Sequence, residues 1–170
     1  VVARYLATEA GAPAPGQRID LTALPRSGTG EARFQWLSFE SGDAERPICS
    51  NGPLRVRVGI HCRAAMHAEG IALMISDRTG YKLLNADNIL IDRTLHLSEG
   101  DNEVEFRVER LPLNPGTYTL GLWLTRKRSS AVDHLENACV MDVAAQPGHH
   151  RAHPPNDGVV WCDFDLNLVS

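Results

Sequence analysis

The sequence predicts an all-β fold, an immunoglobulin-like antiparallel β-sandwich, and three observations carry that expectation. Short runs of β-forming residues alternate with turn clusters from about Arg33 onward, the rhythm of a sandwich or barrel. Leu54, Val56, Val58, Ile60 and Cys62 recur at every second position, as in a strand with one buried and one wet face. In Leu113-Asn-Pro-Gly-Thr-Tyr118, a Pro-Gly turn is followed by a tyrosine opening an alternating strand. A tyrosine so placed can bond back to the turn, as in the tyrosine corner of immunoglobulin-like sandwiches. No stretch sustains a 3.6-residue apolar period, so little helix is expected.

The elements follow in order. Residues 1–31 are rich in Ala, Pro and Gly and read as a linker or N-terminal extension, with the sandwich at 32–170. The first strand is expected at 32–39, where Trp36 alternates with Phe34 and is assigned to the core. Strands follow at 54–62, at 71–76, closed by Asp77-Arg-Thr-Gly80, and at 81–86. After the turn at 98–101 come strands at 102–108, 117–125 and 138–144. The last, at 162–169, puts Cys162, Phe164, Leu166 and Leu168 on one face, with Trp161 at its start.

Composition excludes several function classes. The net charge is -4 and only two residues, Lys82 and Lys127, are lysine, so no basic face for nucleic acid is expected. No apolar run approaches the roughly 20 residues that span a bilayer, and no secretion leader opens the chain. The chain starts at Val1 and reads as a fragment or processed form, its function shared with a part not present. Cys49, Cys62, Cys139 and Cys162 form no C-x-x-C pair and read as reduced thiols of a cytoplasmic protein.

Catalysis finds no support. Neither lysine follows a glycine-rich loop of the kind that cradles nucleotide phosphates. Asp77, Asp87, Asp92 and Asp133 read as turn residues, not as a glycosidase pair. His149, His150 and His153 form the one dense cluster of metal-ligand type, but their Pro and Gly neighbours make it a solvated loop. No catalytic residue, metal or cofactor is expected.

Binding is better supported. If Tyr118, Leu120, Leu122 and Leu124 point inward, then Thr119, Gly121, Trp123 and Thr125 point outward. Trp123 on that wet face can stack on a pyranose ring, Thr119 and Thr125 can bond hydroxyls, and Gly121 leaves room beside the indole. Met74 and Ser76 on the adjoining strand complete a shallow candidate groove. Coverage of this face by a partner chain or by the N-terminal segment is the other reading. Arg55, Arg57, His61 and Arg63 lie on the outward face of a strand in the opposite sheet. They could take an anionic sugar or phosphate cap, or form an ordinary solvated face.

Five segments carry a family resemblance. They are Asn51-Gly-Pro-Leu-Arg-Val-Arg-Val58, Gly70-Ile-Ala-Leu-Met-Ile-Ser-Asp-Arg-Thr-Gly80 and Leu111-Pro-Leu-Asn-Pro-Gly-Thr-Tyr-Thr-Leu-Gly-Leu122. Asp133-His-Leu-Glu-Asn-Ala138 with Met141-Asp-Val143, and Gly158-Val-Val-Trp161, complete the set. In order and spacing they resemble the C-terminal carbohydrate-binding domain of Wzt, the ATP-binding subunit of O-polysaccharide (O-antigen) ABC exporters. The loop at 148–155 has no counterpart in that pattern. The resemblance implies a non-catalytic module that recognises a bacterial O-antigen polysaccharide before export. It implies a cytoplasmic place at the inner face of the inner membrane. Its implied partners are the glycan, the transporter's nucleotide-binding and membrane subunits, and a second copy of the chain through exchange of the C-terminal strand. The alternative is a dimerisation or protein-interaction module without sugar affinity.

Overall fold

A computed structural model describes residues 12–42, 46–127, 130–146, 158 and 160. It is an all-β sandwich. Its strands are β1 (Ile19–Asp20), β2 (Ala32–Glu40), β3 (Leu54–Cys62), β4 (Met66–Ala68), β5 (Gly70–Ser76), β6 (Lys82–Asp87), β7 (Leu95–Leu97), β8 (Gly100–Val108), β9 (Gly116–Lys127) and β10 (Ser130–Val143). A single 3-10 turn at Asn88–Ile91 is the one helical element among the described residues.

One sheet has the order β1-β2-β3-β8 and the other β10-β9-β5-β6, with β4 and β7 forming a small ribbon. All the strand pairings are antiparallel. The two four-stranded sheets face each other as the layers of a sandwich. The core lies between them. Val56 and Val58 of β3 and Leu120, Leu122 and Leu124 of β9 are fully buried. Burying a side chain of this kind stabilises by about 1.5–3 kcal/mol. All five positions expected to face inward in 54–62 are buried, and Gly59 between them is covered as well.

The tyrosine corner is present. The Tyr118 hydroxyl donates to the Asn114 carbonyl at 2.7 Å, tying the start of β9 to its preceding turn. Burial pushes the Tyr118 phenol above its ordinary value, so it remains a donor at neutral pH.

Three expectations change. The folded body reaches back through residues 16–30. Leu21 is fully buried, and its amide donates to the Gln35 carbonyl at 2.9 Å. Ser27 then bridges His134 at the edge of β10, so one segment pairs with both sheets. Trp36 leaves the core because β2 has a bulge between Phe34 and Trp36. The extra residue keeps Phe34 and Leu37 inside and turns Gln35 and Trp36 outward. Asp133 is no turn residue. It lies within β10, 1% exposed, and its carboxylate accepts from the Phe34 amide at 2.8 Å and from Arg26 at 3.0 Å. Asp77, Asp87 and Asp92 keep their local roles: Asp77 and Asp87 accept from backbone amides, and Asp92 closes the 3-10 turn in a left-handed conformation.

Cys49, Cys62 and Cys139 are free thiols. Burial pushes the Cys139 thiol up to about 12, which keeps it protonated and inert. No helix among the described residues is long and apolar enough to cross a membrane. The histidine loop at 149–153, Trp161, Cys162 and the expected strand at 162–169 lie outside the described residues.

Candidate functional site: two tryptophans on opposite sheets

The groove expected around Trp123 is largely filled. Trp123 does point outward from β9, half-buried between Ala72 of β5 and His134 of β10. The His134 ring meets the indole edge-on, with centroids 4.6 Å apart. Burial there pushes the His134 imidazole below its ordinary value, so the neutral ring is the one that packs. The space beside Gly121 is taken by backbone. Between Leu135 and Cys139 the register of β10 shifts, and a Cβ at Gly121 would meet the Glu136 carbonyl oxygen at 2.8 Å. The Met74 methyl fills the other side, 3.2 Å from the same point, and Met74 is 6% exposed. Thr125 is 3% exposed and its hydroxyl donates to the Ser130 carbonyl at 2.8 Å. Thr119 and Ser76 remain half-exposed and directly opposite each other. They sit four strand positions from Trp123, roughly 13 Å away, beyond the filled stretch. The six predicted residues thus share one sheet face but do not converge on one groove.

The other sheet carries a second tryptophan that alternation assigned to the core. Trp36 of β2, Gly59 of β3 and Glu103 of β8 are register partners, forming one row across three strands. Gly59 has no side chain, and the indole occupies that place. A Cβ there would overlap Nε1 and Cε2 of Trp36 and stand 2.7 Å from Cδ1. A bare strand glycine lets the flat ring lie down on the sheet. The Arg18 guanidinium lies over the ring, its carbon 4.0 Å from the centroid. Arg18 also approaches the Glu103 carboxylate at 3.9 Å.

Polar rows flank this platform. On one side Ser38, Arg57 and Glu105 are in register, and Arg57 donates to Glu105 at 3.0 Å. Hydrogen bonds from Arg107 and Arg57 hold the Glu105 carboxyl below its ordinary value and keep it an acceptor. On the other side His61 meets Asp101 at 2.7 Å. Two concavities result, both bounded by Arg18, Trp36 and Glu103. The larger, about 730 Å³, runs past Gly59 to His61 and Asp101, and the smaller, about 140 Å³, runs past Ser38 to Arg55 and Arg57.

This face offers a flat apolar ring with donors and acceptors on both sides. It has no paired free carboxylates, no nucleophile next to a base, and no cluster of three or more metal-ligand side chains among the described residues. The chemistry available is recognition of something ring-shaped and hydroxyl-rich. Of Arg55, Arg57, His61 and Arg63, read from sequence as an anion site or an ordinary solvated face, Arg57 and His61 each face a carboxylate. The sequence did carry a signal for the row: a glycine in the middle of the strongest alternating strand marks a close approach by something else.

The comparisons with known proteins agree with the fold. No curated protein sequence matches the chain. Among solved structures, a crystal structure of the C-terminal domain of Wzt is similar over 91% of this chain and 92% of its own, with TM-score 0.67 and 15% identity. A β-glucosidase involved in saponin metabolism from intestinal bacteria is similar over 71% of this chain and 16% of its own, at TM-score 0.38 and 14% identity, too loose a likeness to bear on activity. A family model, the Wzt C-terminal domain, matches residues 24–162. The match spans most of the chain, including both sheets and the tyrosine corner, and this chain therefore belongs to the Wzt C-terminal domain family.

Proposed function

We propose that this domain is a non-catalytic carbohydrate-binding module that recognises a bacterial O-antigen polysaccharide for export by an ABC transporter. The observation that carries this reading is Trp36 laid across Gly59 between two polar concavities. A pyranose presents a C–H face to an aromatic ring and a rim of hydroxyls to side chains around it. Ser38, Arg57, Glu105, His61, Asp101 and Glu103 supply donors and acceptors at that rim. Family membership supports the exporter context, with the nucleotide-binding and membrane subunits as partners and the inner face of the inner membrane as the place of action. Two copies joined by exchange of the 162–169 strand would give two glycan sites and some avidity.

The test is calorimetric titration with O-polysaccharide purified from the source strain. An open face buries little of its ligand, so the expected Kd is micromolar or weaker, worth about 8 kcal/mol or less. Trp36→Ala should weaken binding by at least about tenfold, or about 1.4 kcal/mol. It should leave the fold intact, because the residue supports no core. Chelator should change nothing. Trp123→Ala is the comparison, because Trp123 with Thr119 and Ser76 is the second candidate platform. Loss of binding in Trp123→Ala with Trp36→Ala unaffected would move the site to the β9-β5 face. No binding at all by the native chain would favour an interaction module without sugar affinity.

A further inference from the structure

We propose that Arg18 is a gate on the Trp36 platform, a capping side chain that a glycan must displace before it can stack. The inference rests on the reading of Trp36 as the sugar platform and concerns how that site is regulated. A flat ring has two faces, and here both are taken. One lies on Gly59, where the indole fills the place of a missing Cβ. The other is covered by the guanidinium of Arg18 at 4.0 Å. A sugar can therefore stack only where Arg18 now lies.

The cap is built to move. Arg18 belongs to a strap pinned at two points. On one side the Gly16 amide donates to the Phe39 carbonyl at 2.7 Å, with Gly16 at φ 78°, a turn that glycine favours. On the other, Ile19 and Asp20 pair with Leu37 and Trp36. Among the described residues, the side chain between the pins is held by the ring below it and by Glu103 at 3.9 Å, and it stays 67% exposed. A guanidinium over an exposed ring is weakly held. Glu103 stands in the same cross-strand row as Trp36, so a short swing takes the guanidinium off the ring and onto the carboxylate. The same swing joins the two concavities, since Arg18 lines both. A single continuous track then runs along β3 from His61 to Arg55. With the cap in place the aromatic surface is shielded from adventitious apolar contacts, and a ligand must offer more than one ring-sized patch to open it.

The experiment titrates the full chain with the purified O-polysaccharide of the source strain, comparing the native protein, Arg18→Ala and Trp36→Ala. Removing a cap of this strength should tighten binding about two- to five-fold. A second readout needs no glycan: acrylamide quenching of Trp36 fluorescence in a Trp123→Phe, Trp161→Phe background, which Arg18→Ala should increase. Weaker binding in Arg18→Ala would make the guanidinium a ligand contact and overturn the gate. Unchanged binding together with unchanged quenching would overturn it as well. Trp36→Ala binding like the native chain would instead reject the site reading while leaving the quenching result to report on the cap itself.

Discussion

Arg26 ties the segment before β2 to both sheets. Its guanidinium donates to the Phe34 carbonyl at 3.1 Å, to the Leu24 carbonyl at 3.4 Å, to the Leu21 carbonyl, and to the Asp133 carboxylate at 3.0 Å. Burial pushes the Asp133 carboxyl up, while the Phe34 amide and Arg26 pull it down. A buried guanidinium and a buried carboxylate are each costly alone, and here they are bonded to each other. Arg26→Ala leaves the buried Asp133 carboxylate without that cation, and urea denaturation should show a loss of about 3–5 kcal/mol. A loss under about 1 kcal/mol, the value of an exposed ion pair, would contradict this account. At this scale the sequence is hard to read. Nothing near Arg26 points to a carboxylate more than a hundred positions away, and Asp133, between Val132 and His134, reads as a turn residue. Trp36 was misplaced for a related reason. One inserted residue between Phe34 and Trp36 reverses which face the indole takes, and a bulge leaves no mark on an alternating pattern unless Gly59 opposite is read with it.

At the scale of elements, strong alternation was legible and backbone pairing was not. Strand β3 announces itself because five inward positions are all apolar. Strand β1 has two residues, and the segment after it joins β10 by main-chain bonds such as Gly30 to Val132 at 2.9 Å, which composition cannot show. The shift in β10 between Leu135 and Cys139 likewise filled the space that Gly121 was expected to leave open. One element remains a proposal. The sequence at 162–169 alternates as a half-buried strand does, and the chain leading to it passes the tyrosine corner, where Val160 bridges Leu113 and the Asn114 amide reaches the Gly158 carbonyl. A strand that far from its neighbours in sequence can complete its own sheet or a second copy's. We expect exchange, so light scattering should give twice the 18.6 kDa chain mass, and truncation before Asp157 should give monomers prone to edge aggregation. A folded dimer after truncation would rule the strand out as the interface.

At the scale of the whole molecule, the described residues form a two-sheet scaffold with two different outer faces. Its class was legible from rhythm, alternation and the tyrosine corner, because each reflects a local physical demand that the fold satisfies. The proposed glycan face was not, because it depends on a register: Trp36, Gly59 and Glu103 meet only once β2, β3 and β8 are aligned. We propose that glycan binds on this face. Chemical-shift mapping by amide and indole NMR, with O-polysaccharide of the source strain as titrant, tests it most directly. The account predicts shifts at the Trp36 indole, Gly59, Glu103, Ser38 and His61, with the Trp123 face unmoved. Shifts confined to Trp123, Thr119 and Ser76, or to neither face, would contradict it.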